Sequence, residues 1–485
     1  MLDLIVRGGN VVFPARGTSR ADIGIRDGKI VAVADELGSQ ARSEIDARGK
    51  TVMPGVVDSH FHLGIFRPFT QDAEVETGSA VAGGVTTILA YHRAGRNNLF
   101  EDITLELPGS YLEIVSQLLQ DARGHFRTDY GFNLAPVTKQ HIDELPRLVG
   151  DHGVTTFKYY MHYRGVDPSS YRPGRGEKEY VFSDTGYDLG HLHDLMREVA
   201  ELDRAGAAVR VSVHAEHPGI IREHTRATKE RLAALADETP LQLYSRSRPP
   251  AGERLGITIA GELAGQTGAP LNVLHISGGT ALDTVGEVRR RYPTLDVLAE
   301  ATVHHLALAN DTLRSPQAKV NPPIRGVSDR DALWDGVRRG DIQTVVSDHA
   351  AIDDAHKGDD IWNAWYGFGG TELLLPTVLT EGHVRRGLPL ERLAEVLSLA
   401  PARYNGLGRA KGDIAIGFDA DLAICDLTVS HAVDHRALHS AQDFSPFDGM
   451  SLTGWVDATI LRGEIVYQNG QLIGSPSGRY LRRPL

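Results

Sequence analysis

Residues 55–62 read Gly55-Val56-Val57-Asp58-Ser59-His60-Phe61-His62, a short apolar run that closes on two histidines. Side chains two apart on a strand share a face, so His60 and His62 point the same way and can chelate one cation. Alone, such a pair is ordinary in a surface or a core. Its weight comes from what recurs around it. Short β-branched runs stand at 54–62, 86–91, 130–136, 155–161, 209–216, 270–277, 295–301 and 342–350, with helical patterns between them, as at 188–204 and 279–291. Eight β-then-α units predict an α/β chain folded as a closed parallel (β/α)₈ barrel of TIM type, rather than an open doubly wound sheet. Outside that series both ends read as strands: 2–6, 22–25 and 29–33 at the start, 421–426, 458–462 and 464–468 at the end. Asp27-Gly28 and Asn469-Gly470 supply hairpin turns. The expected division is therefore a barrel over 54–409 and a small β-sandwich domain built from both termini, 1–53 and 410–485.

Composition narrows the function classes. The 485 residues are 41% apolar, enough for a large core, and the formal net charge is −12. A chain that acidic does not offer the basic surface that binding a nucleic-acid backbone requires. The single cysteine, Cys425, excludes an internal disulfide and a cysteine-rich zinc site, and reads as a small buried hydrophobe. No stretch reaches the roughly 18 apolar residues of a membrane span and the start carries no basic leader, so a soluble cytoplasmic protein is the default expectation. Twenty-one histidines invite a search for metal or proton chemistry.

Barrels of this type carry their active sites at the C-terminal ends of the strands. Standing there are His60 and His62 on the first strand, Lys158 on the fourth, His214 on the fifth, His275 on the sixth and Asp348 on the eighth. Two readings are open for Lys158, which lies in the strand-like Thr156-Phe157-Lys158-Tyr159-Tyr160. It can be an ion pair with Asp58 or Asp348. Alternatively, CO₂ carbamylates it, turning a cation into an anion with two oxygens that can bridge two metals. An ammonium among four histidine ligands and two dications is strongly repelled, and desolvation exposes the neutral amine that CO₂ needs. Asp348 can ligate a metal and take a proton from a water acidified by two dications, or it can cap the next helix. The segment 164–186, rich in Gly, Pro, Ser and charge, follows the fourth strand. It reads equally as a lid over the mouth or as a solvated excursion.

The run Gly55 to His62, with His-x-His, Lys, His, His and Asp in that order, resembles the amidohydrolase superfamily, and within it the cyclic amidohydrolases: hydantoinase and dihydropyrimidinase, allantoinase, dihydroorotase. The resemblance spans almost the whole chain. It takes in Ala82-Gly83-Gly84-Val85-Thr86-Thr87, Asn321-Pro322-Pro323-Ile324-Arg325, Leu452-Thr453-Gly454-Trp455 and Gly478-Arg479-Tyr480. It implies that His60 and His62 bind a buried metal, His214 and His275 a more exposed one, and that carbamylated Lys158 bridges them. It implies that Asp348 ligates the buried metal and serves as general base and then acid. Tyr163 is expected to polarise the substrate carbonyl, or else to be a stacked loop tyrosine, and Asn321 to contact the ring through its backbone. The implied cofactors are two divalent ions; zinc suits the ligand set, as do manganese, iron and cobalt. The implied reaction opens a cyclic amide, imide or ureide ring by attack of a hydroxide held between the metals. Allantoinase is the alternative, then dihydroorotase or a non-catalytic dihydropyrimidinase-like protein. A mononuclear deaminase-type relative is a further rival, and it would not need Lys158. The implied assembly is a homo-oligomer, a homotetramer.

The chain also departs from the pattern. Arg67 comes too late after His62 to match the dihydroorotase carboxylate arginine. Tyr91-His92-Arg93 replaces a proline-containing loop, and Trp365-Tyr366-Gly367-Phe368 precedes Gly370-Thr371-Glu372 where hydantoinases show an asparagine. These departures predict an altered, more aromatic pocket, although Trp362, Trp365 and Phe368 are equally readable as packing residues.

Overall fold

The structure is a computed structural model and describes residues 1–38, 40–93, 109–163 and 187–484. The first five strands, β1 (Leu2–Phe13), β2 (Gly17–Arg26), β3 (Lys29–Ala34), β4 (Ala41–Asp46) and β5 (Thr51–Pro54), lead into eight more. These are β6 (Val56–Phe61), β7 (Val85–Arg93), β8 (Asp129–Ala135), β9 (Thr156–Tyr160), β10 (Arg210–His214), β11 (Leu271–Val273), β12 (Val297–Thr302) and β13 (Thr344–Val346). The eight pair in parallel and in sequence order from β6 to β13. Helices intervene, among them Leu189–Arg204, Pro250–Thr267, Gly279–Arg291 and Val327–Arg339. This is the expected barrel, with its strands trimmed: β11 and β13 have only three residues each.

Polar contacts seal the gap between first and last strands. Phe61 bridges His349 in parallel, and the His62 amide donates to the His349 carbonyl at 2.8 Å. Beneath them the fully buried Asp58 carboxylate accepts from the Ser347 amide (3.0 Å), the Ser347 hydroxyl (2.5 Å) and Thr371 (3.1 Å). A buried carboxylate is tolerated only with such donors. Asp58 is therefore a barrel clasp that meets no lysine among the described residues.

The helix over Leu189–Arg204 shows how local chemistry sets an element. Asp188 caps its start by accepting from the amides of Gly190 and His191, and Leu192, Leu195, Met196 and Val199 recur at three- and four-residue spacing on the buried face.

The terminal strands β14 (Leu422–Ala432), β15 (Ser451–Leu461), β16 (Glu464–Gln468) and β17 (Gln471–Leu472) complete the second sheet. Its order is β17-β16-β15-β14-β5-β1-β2-β3, with β4 on β1. The sheet is thus one continuous hydrogen-bonded path through both ends of the chain. Its core of Leu4, Ile23, Ile25, Val52, Leu422 and Ile460 lies apart from the barrel core. At the Asp27-Gly28 turn both residues have positive φ, 52° and 74°, as a two-residue hairpin requires. Cys425 is buried, and burial pushes its thiol well above the usual range. Among the described residues no helix is long and apolar enough to cross a membrane.

Barrel and second sheet are tied through Lys411, whose fully buried ammonium meets Asp129 of β8 (2.6 Å), Asp421 (2.8 Å) and Asp419 (3.0 Å). The carboxylates raise its pKa against the opposing effect of burial. The three aspartates group closely enough to suggest a cation site, and the lysine is that cation. Lys411→Met leaves the buried Asp421 without its cation, while Asp129 keeps Arg462 and Asp419 keeps Lys29, a loss of about 3–5 kcal/mol by precedent for broken buried pairs. A drop of several degrees in the thermal midpoint is the expected reading; an unchanged midpoint would show that the cluster is not what ties the two sheets.

Candidate metal centre

His60, His62, Lys158, His214, His275 and Asp348 meet at the C-terminal end of the barrel. His60 and His62 come from the end of β6, as their spacing dictates. Their imidazole nitrogens and Asp348 Oδ1 all lie within 4.8 Å of one another, with Asp348 Oδ1 3.0 Å from His60 Nε2 and 3.2 Å from His62 Nε2. Lys158 Nζ is 2.9 Å from His60 Nε2. The His275 ring stands between the two histidine groups, 5.6 Å from His60 and 4.4 Å from His214, centroid to centroid.

His275 and Asp348 follow the short strands β11 and β13, and both have positive φ, 35° and 51°. Non-glycine residues rarely adopt that region, and each such residue costs on the order of 1–3 kcal/mol, so the surrounding structure must impose it. The strands stop early so that these two side chains turn into the site. Asp348 does not cap the next helix; Asp353 precedes that one.

The donor set fits divalent cations. Burial pushes the His62 imidazole down to about 4 and His275 well below its usual value, so both rings are neutral, as ligands must be. His275 Nδ1 is buried and has no hydrogen-bond partner among the described residues, an orphan that a metal would satisfy. Burial alone would raise the Asp348 pKa, but the facing His60 and His62 outweigh it and hold the carboxylate well below its usual range. Lys158 is 2% exposed and makes no ion pair to Asp58 or Asp348 among the described residues. Its Nζ lies 4.4 Å and 4.6 Å from the ring centroids of Tyr91 and Tyr160. Burial lowers it to about 8 despite the nearby Asp348 and Glu300, which leaves an appreciable fraction as free amine near neutral pH.

Sequence reading missed the groups that aim these ligands. Glu300, on β12, accepts from His60 Nδ1 at 2.7 Å and from the His275 amide at 3.3 Å. Glu216 bonds His214 Nε2 at 2.7 Å and is gripped in turn by Arg248, at 3.0 Å through Nε and 2.5 Å through Nη2. Each carboxylate fixes which ring nitrogen is left for the site. The available signal was an acid inside an apolar strand, Val297-Leu298-Ala299-Glu300-Ala301. Tyr91 also enters the site, edge-on to His60 at 4.6 Å, with its hydroxyl donating to Ser212 at 3.0 Å. For Glu300→Gln, metal affinity is expected to fall about 10–100-fold, the usual cost of losing such a partner. Competition with a chromogenic chelator measures it, and an unchanged affinity would remove Glu300 from that role.

The remaining expectations fall as follows. Tyr163 ends the 3₁₀ turn Met161–Tyr163 directly after β9; its side chain lies outside the described residues, as does the whole of 164–186, the segment read as a lid. Asn321 accepts from the Tyr244 hydroxyl and lines a cavity with Trp362 and Tyr366. Trp365 packs edge-on to Phe66, and Phe368 is buried against His304 and Phe447, so two of the three aromatic positions are packing residues. Arg67 pairs with Asp353 and reaches toward Asp72 and Glu76.

Comparison with known proteins agrees with this arrangement. The amidohydrolase family profile matches residues 51–466. An allantoinase from Rubrobacter xylanophilus is 35% identical over 99% of this chain and 97% of its own. A D-hydantoinase from Ralstonia pickettii is 30% identical over 99% of both chains. The solved L-hydantoinase (dihydropyrimidinase) from Arthrobacter aurescens superposes with a TM-score of 0.82 at 29% identity, covering 98% of each chain. With the profile spanning most of its length and relatives matching end to end, the chain belongs to the amidohydrolase family.

Proposed function

We propose that this chain hydrolyses a ring C–N bond, opening a cyclic amide, imide or ureide of the hydantoin or dihydropyrimidine kind. The observation that carries the reading is the convergence of four histidines, one desolvated lysine and one aspartate on a single barrel rim, in a chain whose full-length relatives are named hydantoinase and allantoinase. In this reading His60, His62 and Asp348 would hold one divalent ion and His214 and His275 another, and Lys158, if carbamylated by CO₂, would offer both of them carboxylate-type oxygens. Zinc suits these donors, and manganese, iron and cobalt are also compatible. When bound, two such ions supply a water acidified toward neutrality and an electrophile for a carbonyl oxygen.

The protein's own groups do the rest. Asp348, held as a carboxylate by the facing imidazoles, accepts the nucleophile's proton and returns it to the departing ring nitrogen. Tyr163 donates to the carbonyl that gains negative charge, and Asn321 orients the ring. Glu300 and Glu216–Arg248 keep the imidazoles aimed. The product is a ring-opened N-carbamoyl or amide acid.

Metal analysis of the purified protein tests this. Two ions per chain, lost together with ring-opening activity on chelation and regained on adding metal, is the expected outcome. One ion per chain at full activity would favour the mononuclear deaminase-type mechanism. Allantoin is the second substrate reading, favoured by the 35% identity to an allantoinase; comparing its turnover with that of hydantoin decides between them. The homotetramer implied by the resemblance is proposed as the assembly, and light scattering would read it.

A further inference from the structure

Residues Tyr480 to Arg483 fill a seam of the barrel. Strands β8 and β9 share one ladder pair, Leu134 with Phe157, and on its N-terminal side this segment bonds to both edges. The Leu481 amide donates to the Tyr130 carbonyl of β8 at 2.7 Å, and the Arg483 amide to the Gly153 carbonyl, on the approach to β9, at 3.1 Å. The Tyr480 hydroxyl donates to the His152 carbonyl at 2.8 Å. Only glycine suits position 153: its φ is 68°, and a Cβ there would stand 2.5 Å from the Arg483 nitrogen. The Arg483 side chain is 2% exposed. Its guanidinium donates to the Phe132 carbonyl and, at 3.0 Å, to Asn133 Oδ1. Asn133, fully buried, donates in turn from Nδ2 to the Ser59 carbonyl at 3.4 Å. The peptide that carries this carbonyl is the one that enters His60. Among the described residues no carboxylate pairs with Arg483, and burial lowers it to about 10, which leaves it charged at neutral pH. A buried cation without a counter-ion opposes folding, and an apolar side chain would fill the same space without that cost, so packing alone does not account for it.

We propose that Arg483 is a positioning residue of the metal centre: through Asn133 it fixes the Ser59 carbonyl, and with it the direction in which His60 leaves β6. The inference rests on the reading of the rim as a metal centre. Because the peptide is planar, a swing of the Ser59 carbonyl turns the His60 backbone with it. Glu300 holds the His60 ring at Nδ1, and the Arg483–Asn133 strut holds its backbone. Two fixed points leave Nε2 one direction in which to meet an ion.

The test measures zinc affinity, by competition with a chromogenic chelator, and the thermal midpoint of the metal-free protein. The variants are Arg483→Met and the double replacement Arg483→Met with Asn133→Leu. The double variant puts apolar groups of similar shape at both ends of the bond, a change that leaves no buried donor unpaired within it and that the fold tolerates. Zinc affinity is expected to fall about tenfold in each, the lower end of what partners of metal ligands contribute. The double variant should lose no more than the single one, because the two residues act as a unit. Its metal-free midpoint should stay near that of the wild type. A merely structural role gives the reverse pattern, a lowered midpoint with zinc affinity unchanged. A folded double variant whose affinity is within about twofold of the wild type overturns the proposal. Wild-type protein that binds no zinc would end the metal reading separately. The His60 ring signals of protein carrying isotope-labelled histidine, assigned by their loss in His60→Gln, then read the strut directly. Displaced in the double variant, they support it; unmoved, they overturn it.

Discussion

Replacing Lys158 by alanine is expected to remove metal and activity together, with kcat/KM falling by roughly 10³-fold or more, the scale of losing the metals' transition-state stabilisation. The reason lies in the side chain's surroundings. Lys158 is buried against His60 at 2.9 Å and between two tyrosine rings. As an ammonium it would oppose any dication brought to His60, His62, His214 and His275; as a carbamate it supplies two oxygens to them. Alanine supplies none, and a small carboxylic acid added to the variant should restore part of both metal content and rate. A Lys158→Ala protein that retained two metals would refute the bridging role, whatever its activity.

The second large effect is expected at Asp348. Asp348→Asn keeps the shape and one oxygen, and His60 and His62 remain, so most of the metal should stay bound. Turnover should drop by about 10²–10⁴-fold, the usual worth of a positioned proton carrier. The split matters more than the size: kcat falls while metal content holds. Turnover within a few-fold of wild type would remove Asp348 as the base. Loss of metal in parallel with turnover would make it a ligand first.

Much of this was legible in the sequence because it is local. Glu464–Gln468 forms at the residues where alternation predicts it, and Asp27-Gly28 turns as its residue types require. The helix over Gly279–Arg291 has its predicted ends. His60 and His62 share a face because strand geometry leaves no alternative. Other features depend on distant segments meeting and leave no local trace. Glu300 is far along the chain from His60, and Arg248 reaches Glu216 from the end of a separate helix. Tyr91 read as a departure in a loop and proves to be a wall of the site, because β7 runs on to Arg93. The positive φ of His275 and Asp348 was equally hidden, since neither position holds the glycine or asparagine that would mark it. Lys158 was the reverse case. A lysine in an apolar strand advertised itself, but sequence allowed an ion pair to Asp58, and the structure commits Asp58 to Ser347 and Thr371 instead.

The most direct measurement of the central claim is ring opening by the metal-replete protein. It is followed spectroscopically on hydantoin, an aryl hydantoin, dihydrouracil, allantoin, dihydroorotate and a cyclic imide, each with and without chelator. The account predicts clear turnover of at least one hydantoin, dihydropyrimidine, ureide or imide, abolished by chelation and restored by metal. Turnover that survives complete removal of metal, or none on any member with two ions bound at the rim, would contradict it.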